Sequence, residues 1–148
     1  MTFFHDWRFV VATRVRAGTS ALVLLGLGSF AYAQGWEIPP GASAEKSPLS
    51  PTPAVLAKGR ALYASHCAKC HGPEGKGDGA DTTNDPAHCP ADLTEAFRAR
   101  FNPDGVLFYR IWNGRTQPTM PAFKTKLSRN QVWAVVEYVK TLRKAPVG

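Results

Sequence analysis

"ASHCAKCHGPEGKGDG", residues 64–79, decides how the rest of the chain is read. Cys67 and Cys70 lie three apart, His71 follows directly, and glycines stand at 72, 75, 77 and 79. Ahead of them Leu56, Gly59, Tyr63 and Cys67 recur at three- and four-residue steps, the stripe of an amphipathic helix. The cysteine pair therefore sits at a helix end with no strand leading in, which argues against a thioredoxin-like dithiol. No Gly-Lys-Ser/Thr follows the glycines, so a phosphate loop fails. Asp78, Asp81, Asn84 and Asp85 do not keep calcium-loop spacing either.

The compartment narrows the chemistry. Arg8, Arg14 and Arg16 give a basic start, and the uncharged run "SALVLLGLGSFAYA" (20–33) ends in the small-x-small pattern Ala31-Tyr32-Ala33. Residues 1–33 are expected to be a signal peptide cleaved after Ala33. The alternative is an uncleaved anchor, although the run falls short of the ~20 residues that span a bilayer. Either reading puts the remainder outside the cytoplasm, in the periplasm or an equivalent exported space. Residues 34–53, rich in Pro, Ser and Gly with no helical or strand period, read as a flexible linker. The folded domain is expected over 54–148, small enough that a bound cofactor would help complete its core.

Eighteen basic and eleven acidic residues make the 148-residue chain formally +7, and three Arg and one Asp of these lie in residues 1–33, leaving +5 beyond them. The basic residues form no block and have no aromatic interleaving, which argues against nucleic acid. Redox proteins with an acidic docking surface are better partners. A membrane is expected only if the N-terminal segment stays attached.

Three cysteines, Cys67, Cys70 and Cys89, are an odd number for an oxidising space. Zinc held by these three with His71 or His88 is one reading, but a ribbon wants a fourth cysteine at 92, where Asp92 stands. Haem fits every constraint. In Cys-x-x-Cys-His both sulfurs reach the two vinyl groups on one haem edge, and the histidine offers its imidazole to the iron. The opposite face needs a second candidate. Besides the initiator the chain has one methionine, Met120, set in a loop between Pro118 and Pro121 rather than on a helix where a core methionine would sit. His66 shares its helix with the attachment site and cannot reach that face. His88 reads as a surface imidazole, and His5 goes with the signal.

Two further helices are legible. Ser128 and Gln131 form a capping-box pattern with Leu127 and Val132 as staple, and Val132, Val135, Val136, Val139 and Leu142 mark one apolar face. In "NPDGVLFYRIWNG" Asn102 reads as cap, Pro103 as first helical residue and Gly114 as terminator. Leu107 and Ile111 should face the core or cofactor. Trp112 and Arg115 are candidate donors to haem propionates; the alternative is a core Trp and a solvent-facing Arg. "DLTEAFRARF" reads as a short third helix.

Over residues 54–143 the chain resembles the class I monohaem cytochromes c, through "KGRALY", "CAKCHG", "GPEGKGDG", "PADL", "IWNG", "TMPAF" and "VVEYVKTLR". The resemblance implies an all-α class I cytochrome c fold, with three to five helices wrapped round one covalently bound haem c. It implies Cys67 and Cys70 as covalent attachment points and His71 and Met120 as axial iron ligands. It also implies the Pro90 carbonyl as acceptor of the His71 Nδ1–H, and close approach of the first and last helices at Gly59. Cys89 has no place in that pattern. The function implied is an exported carrier of single electrons rather than an enzyme, with Lys124, Lys126 and Arg129 as a positive docking rim. Two alternatives stay open: an electron-entry subunit of a larger oxidoreductase, and a haem enzyme or gas-binding protein whose sixth ligand leaves readily.

Overall fold

Thr52 and Pro53 open the first helix. The Thr52 hydroxyl accepts the Val55 amide at 3.3 Å, and Pro53 supplies a preset φ where no amide bond is required. The computed structural model describes residues 35–82, 90–116 and 119–143; the expected signal segment, His88, Cys89 and Pro118 lie outside the described residues. Among the described residues five α-helices follow in order: α1 (Pro53–His66), α2 (Ala68–His71), α3 (Ala96–Ala99), α4 (Asp104–Asn113) and α5 (Arg129–Leu142). Among the described residues the strand-like pairing is one isolated bridge, Arg115 with Met120. The fold is all-α, as the sequence predicts.

The capping box of α5 is present: Ser128 Oγ accepts the Gln131 amide at 3.3 Å and the Gln131 side chain accepts the Ser128 amide at 2.8 Å. Residues 132–137 and 139 are all buried, a wider face than the valine stripe predicts. The excess includes Glu137, which is tolerated because Lys140 Nζ reaches it at 3.0 Å and Asp104 of α4 at 3.1 Å. Phe108 of α4 stacks on Trp133 of α5 at 4.3 Å between ring centroids, so the two helices meet through aromatic faces.

The crossing of α1 over α5 depends on a missing side chain. A Cβ at Gly59 would stand 2.1 Å from the Ala134 carbonyl oxygen and 2.9 Å from Tyr138 Cβ. Gly59→Ala gains about 1 kcal/mol of helix propensity. Against that, parting two packed backbones costs about 3 kcal/mol. The clash wins, and a net loss of about 2 kcal/mol is expected in urea unfolding of the haem-loaded protein.

Two expectations are corrected. Pro103, not Asn102, is the N-cap of α4, because the Asn102 side chain is committed elsewhere: its amide donates to the Arg98 carbonyl at 2.6 Å and its oxygen accepts from Arg110. Residues 35–52 do not hang as a tether. Ala42–Ala44 form a 3₁₀ turn with Ala42 buried, and the Gly105 amide donates to the Glu45 carbonyl at 3.1 Å. Gly105 permits this, since a Cβ there would lie 2.1 Å from the Ala42 carbonyl oxygen. Composition suggests a tether, but a few apolar and acidic groups at the right intervals hold the segment down.

Candidate functional site

At the end of α1 the chain turns through Cys67 directly into α2, where the Cys70 and His71 amides both bond back to the Cys67 carbonyl, at 3.2 and 2.9 Å. This tight turn puts both thiols and the imidazole on one short element. Gly72 (φ 77) then takes a left-handed conformation to leave it, and a Cβ there would meet the Asp78 carboxylate at 1.9 Å. Tyr63, fully buried on α1, donates its hydroxyl to the Gly72 carbonyl at 2.8 Å and fixes the corner from below.

His71 Nδ1 lies 3.2 Å from the Ala91 carbonyl, one residue beyond the Pro90 carbonyl that was expected. Pro90 faces the other way: its oxygen would stand 2.6 Å from a Cβ on Gly77. With Nδ1–H donating to Ala91, Nε2 presents its lone pair. Burial lowers the His71 pKa below the ordinary histidine value, against the smaller opposing effect of that carbonyl, so the ring is neutral as a metal ligand must be. Burial, with Cys70 close by, pushes the Cys67 thiol up to about 12, so in the unmodified chain it is a protonated thiol.

Met120 is placed by backbone, not by a helix. Its amide and carbonyl exchange hydrogen bonds with Arg115, each 2.9 Å, and the Phe123 amide bonds the Ile111 carbonyl at 3.1 Å. Gly114 (φ 61) makes the return possible, because a Cβ there would sit 2.3 Å from the Met120 carbonyl oxygen. The loop is thereby pinned to the end of α4.

Two adjoining cavities, about 740 and 660 Å³ including open solvent, share Trp36, Cys67, His71, Ala91 and Met120 in their walls. Leu107, Ile111, Val135 and Val139 line the first, and Cys70 and Phe123 the second. Leu107 and Ile111 thus face both core and cavity. His66 reaches the rim of the second cavity beside Cys67. Trp112 lines neither; it stacks on Phe108 at 5.6 Å with the Arg129 guanidinium above it. The cations are Arg98, Arg110 and Arg143 on the first cavity and Arg115 on the second, and among the described residues no Asp or Glu lines either. Arg110 Nε is buried without a hydrogen-bond partner. Burial lowers the Arg110 pKa, and Arg115 and Arg98 add to this. Apolar walls, two thiols on one side and the unpartnered Nε of Arg110 suit a large apolar ring bearing two acids, which is what haem is. Among the described residues no three of His, Cys, Asp and Glu cluster to hold a metal ion directly.

Sequence reasoning brought together Cys67, Cys70, His71 and Met120, and the structure gathers all four at these cavities. Trp36 is a further wall residue, signalled only by a lone aromatic in a Pro/Gly-rich stretch, and Arg98, Arg110 and Arg143 lie in the quoted helical stretches with nothing local to mark them as facing a cavity. Of the expected basic rim, Lys124, Lys126 and Arg129 are all exposed; Arg129 also lies over Phe108 at 4.5 Å and pairs with Glu45 at 3.5 Å.

Residues 56–143 match the sequence profile of the family described as Cytochrome c. A chain of the Kuenenia stuttgartiensis reducing HAO-like protein complex Kustc0457/Kustc0458 is similar at 30% identity and a TM-score of 0.56, over 66% of this chain and 47% of that one. The protein thus spans about half the length of that relative. The KustC0563 c-type cytochrome is similar at 28% identity with a TM-score of 0.47, over 58% of this chain and 98% of that one. No curated protein matches.

Proposed function

The chain belongs to the cytochrome c family, whose cofactor is covalently bound haem c and whose chemistry is electron transfer, and from that premise we propose that it is an exported carrier of single electrons with a His/Met-ligated iron. Haem, when bound, would supply one-electron redox chemistry. Cys67 and Cys70 would hold the ring by thioether bonds, and His71 and Met120 would be the residues that ligate its iron. The observation that carries this reading is that His71 and Met120 line the same two adjoining cavities, while His71 Nδ1 is committed to Ala91. A thioether is soft and uncharged, so it favours the reduced state and closes the iron to small ligands. Arg110, whose buried Nε has no hydrogen-bond partner, is the donor best placed for a propionate, in place of the expected Trp112.

Export is supported by the residues 1–33 pattern, and mass spectrometry of the purified protein should find Gln34 as its N-terminus. Among the described residues no helix is long and apolar enough to cross a membrane. Lys124 and Lys126 are proposed as the rim that steers acidic redox partners, since they closely follow Met120 and are exposed. Reversing both charges should slow electron exchange with an acidic redox protein about tenfold at low salt and flatten its salt dependence. Unchanged rates would remove these lysines from docking.

A second reading has one specific support, the similarity to a subunit of a complex. In it the chain is an electron-entry subunit of a larger oxidoreductase. Size-exclusion of the natively purified protein separates the readings: a lone monomer favours the carrier, co-elution with another polypeptide the subunit.

A further inference from the structure

The segment before α1 lies outside the 56–143 stretch shared with the family, yet it reaches the cofactor cavity. It runs antiparallel along α4. The Glu37 carbonyl accepts from Asn113 Nδ2 at the helix end, at 2.9 Å, and the Glu45 carbonyl accepts the Gly105 amide near its start. Ser47 N–H adds a longer bond to Asp104 at 3.4 Å. Pinned near both ends, the segment has little choice about where it puts Trp36. The indole lines both cavities, with the Arg115 guanidinium 4.4 Å and the Arg110 guanidinium 5.0 Å from its ring.

The Arg115 charge disfavours that of Arg110, whose buried Nε has no acceptor. An aromatic face stabilises each cation without supplying the missing acceptor. Among the described residues no Asp or Glu lines these walls, and a carboxylate of bound haem would supply the acceptor. We propose that Trp36 is a positioning residue of the cofactor site: its indole holds Arg110 and Arg115 over the carboxylate-bearing edge of the haem, and residues 35–52 are a strap that closes that edge to water. The proposal rests on the haem reading above. Its consequence is electrical. Holding cations by the carboxylates and excluding water both disfavour the extra positive charge of the ferric state, so the strap raises the reduction potential.

The test is the midpoint potential and visible spectrum of the full haem-loaded chain as parent, Trp36→Ala and Trp36→Phe. Trp36→Ala should lower the equilibrium constant for reduction about fivefold, roughly 40 mV for one electron, with the axial-ligand spectrum unchanged. Trp36→Phe, which keeps an aromatic face, should recover most of it. Asn113→Ala, which loosens the strap without touching the cavity, should shift the potential the same way by less. An unchanged potential in Trp36→Ala would overturn the proposal while leaving the haem reading standing. So would an altered axial-ligand spectrum, which would mean that Trp36 only supports the fold. A parent chain that takes up no haem would overturn both.

Discussion

Replacing Met120 by alanine is expected to turn a reduced protein that does not respond to carbon monoxide into one that binds it stoichiometrically. The loop carrying Met120 is held by its paired hydrogen bonds with Arg115 and by the Phe123 amide on the Ile111 carbonyl. None of these involves the side chain, so Met120→Ala removes the thioether and leaves the backbone in place. The half-buried side chain still packs against the core, and its loss costs at most the lower end of the ~2–5 kcal/mol range for a fully buried methionine. With one axial position open, the weak far-red ferric band of methionine ligation disappears. The reduction potential falls by on the order of 0.1–0.2 V, part of the roughly 0.8 V span that axial ligands command. Absorption spectra with and without carbon monoxide, and a redox titration, check all three outcomes. A parent that already binds carbon monoxide as well as the variant would move the protein to the labile-ligand enzyme or gas-binding reading.

Removing both attachment sulfurs has the other large effect. In Cys67→Ala/Cys70→Ala, haem is held only by His71, Met120 and the cavity walls, and acid–organic solvent should strip it from the denatured chain; from the parent it should not. Either single variant keeps one thioether, so the double variant is the decisive one. Retention of cofactor becomes a matter of concentration and dissociation constant once the bonds are gone. The yield of haem-loaded protein should fall at least about tenfold, because a domain this small fills much of its core with the ring. Haem that stays on the double variant after extraction would mean that these cysteines are not the attachment points.

What was legible in the sequence had local grammar. Ser128 and Gln131 with the valines behind them fix where α5 begins and which face it buries, because caps and periodicity depend on neighbours only a turn away. The Cys67, Cys70 and His71 spacing is equally local. Met120 stood out because a lone methionine between prolines has no helical core role. What was not legible depends on contacts distant in the chain. Trp36 sits among residues whose composition predicts a tether, and only its placement beside Arg110 and Arg115, more than seventy residues on, makes it part of a site. The one hint was Gly105, a glycine in the first turn of a helix that gains nothing from it unless another backbone comes close. The shift of the His71 acceptor from Pro90 to Ala91 is smaller still, a matter of which of two adjacent carbonyls turns inward. Trp112 takes the alternative of a core tryptophan: it stacks on Phe108 under the Arg129 guanidinium and lines neither cavity.

The measurement that bears most directly on the central claim is the visible spectrum of the parent haem protein, oxidised and reduced, before and after carbon monoxide. A far-red methionine band in the ferric state, with a ferrous spectrum that carbon monoxide leaves unchanged, is the predicted result and establishes an iron closed by His71 and Met120 for electron transfer. A ferrous spectrum that carbon monoxide shifts at once, with no far-red band, would contradict it.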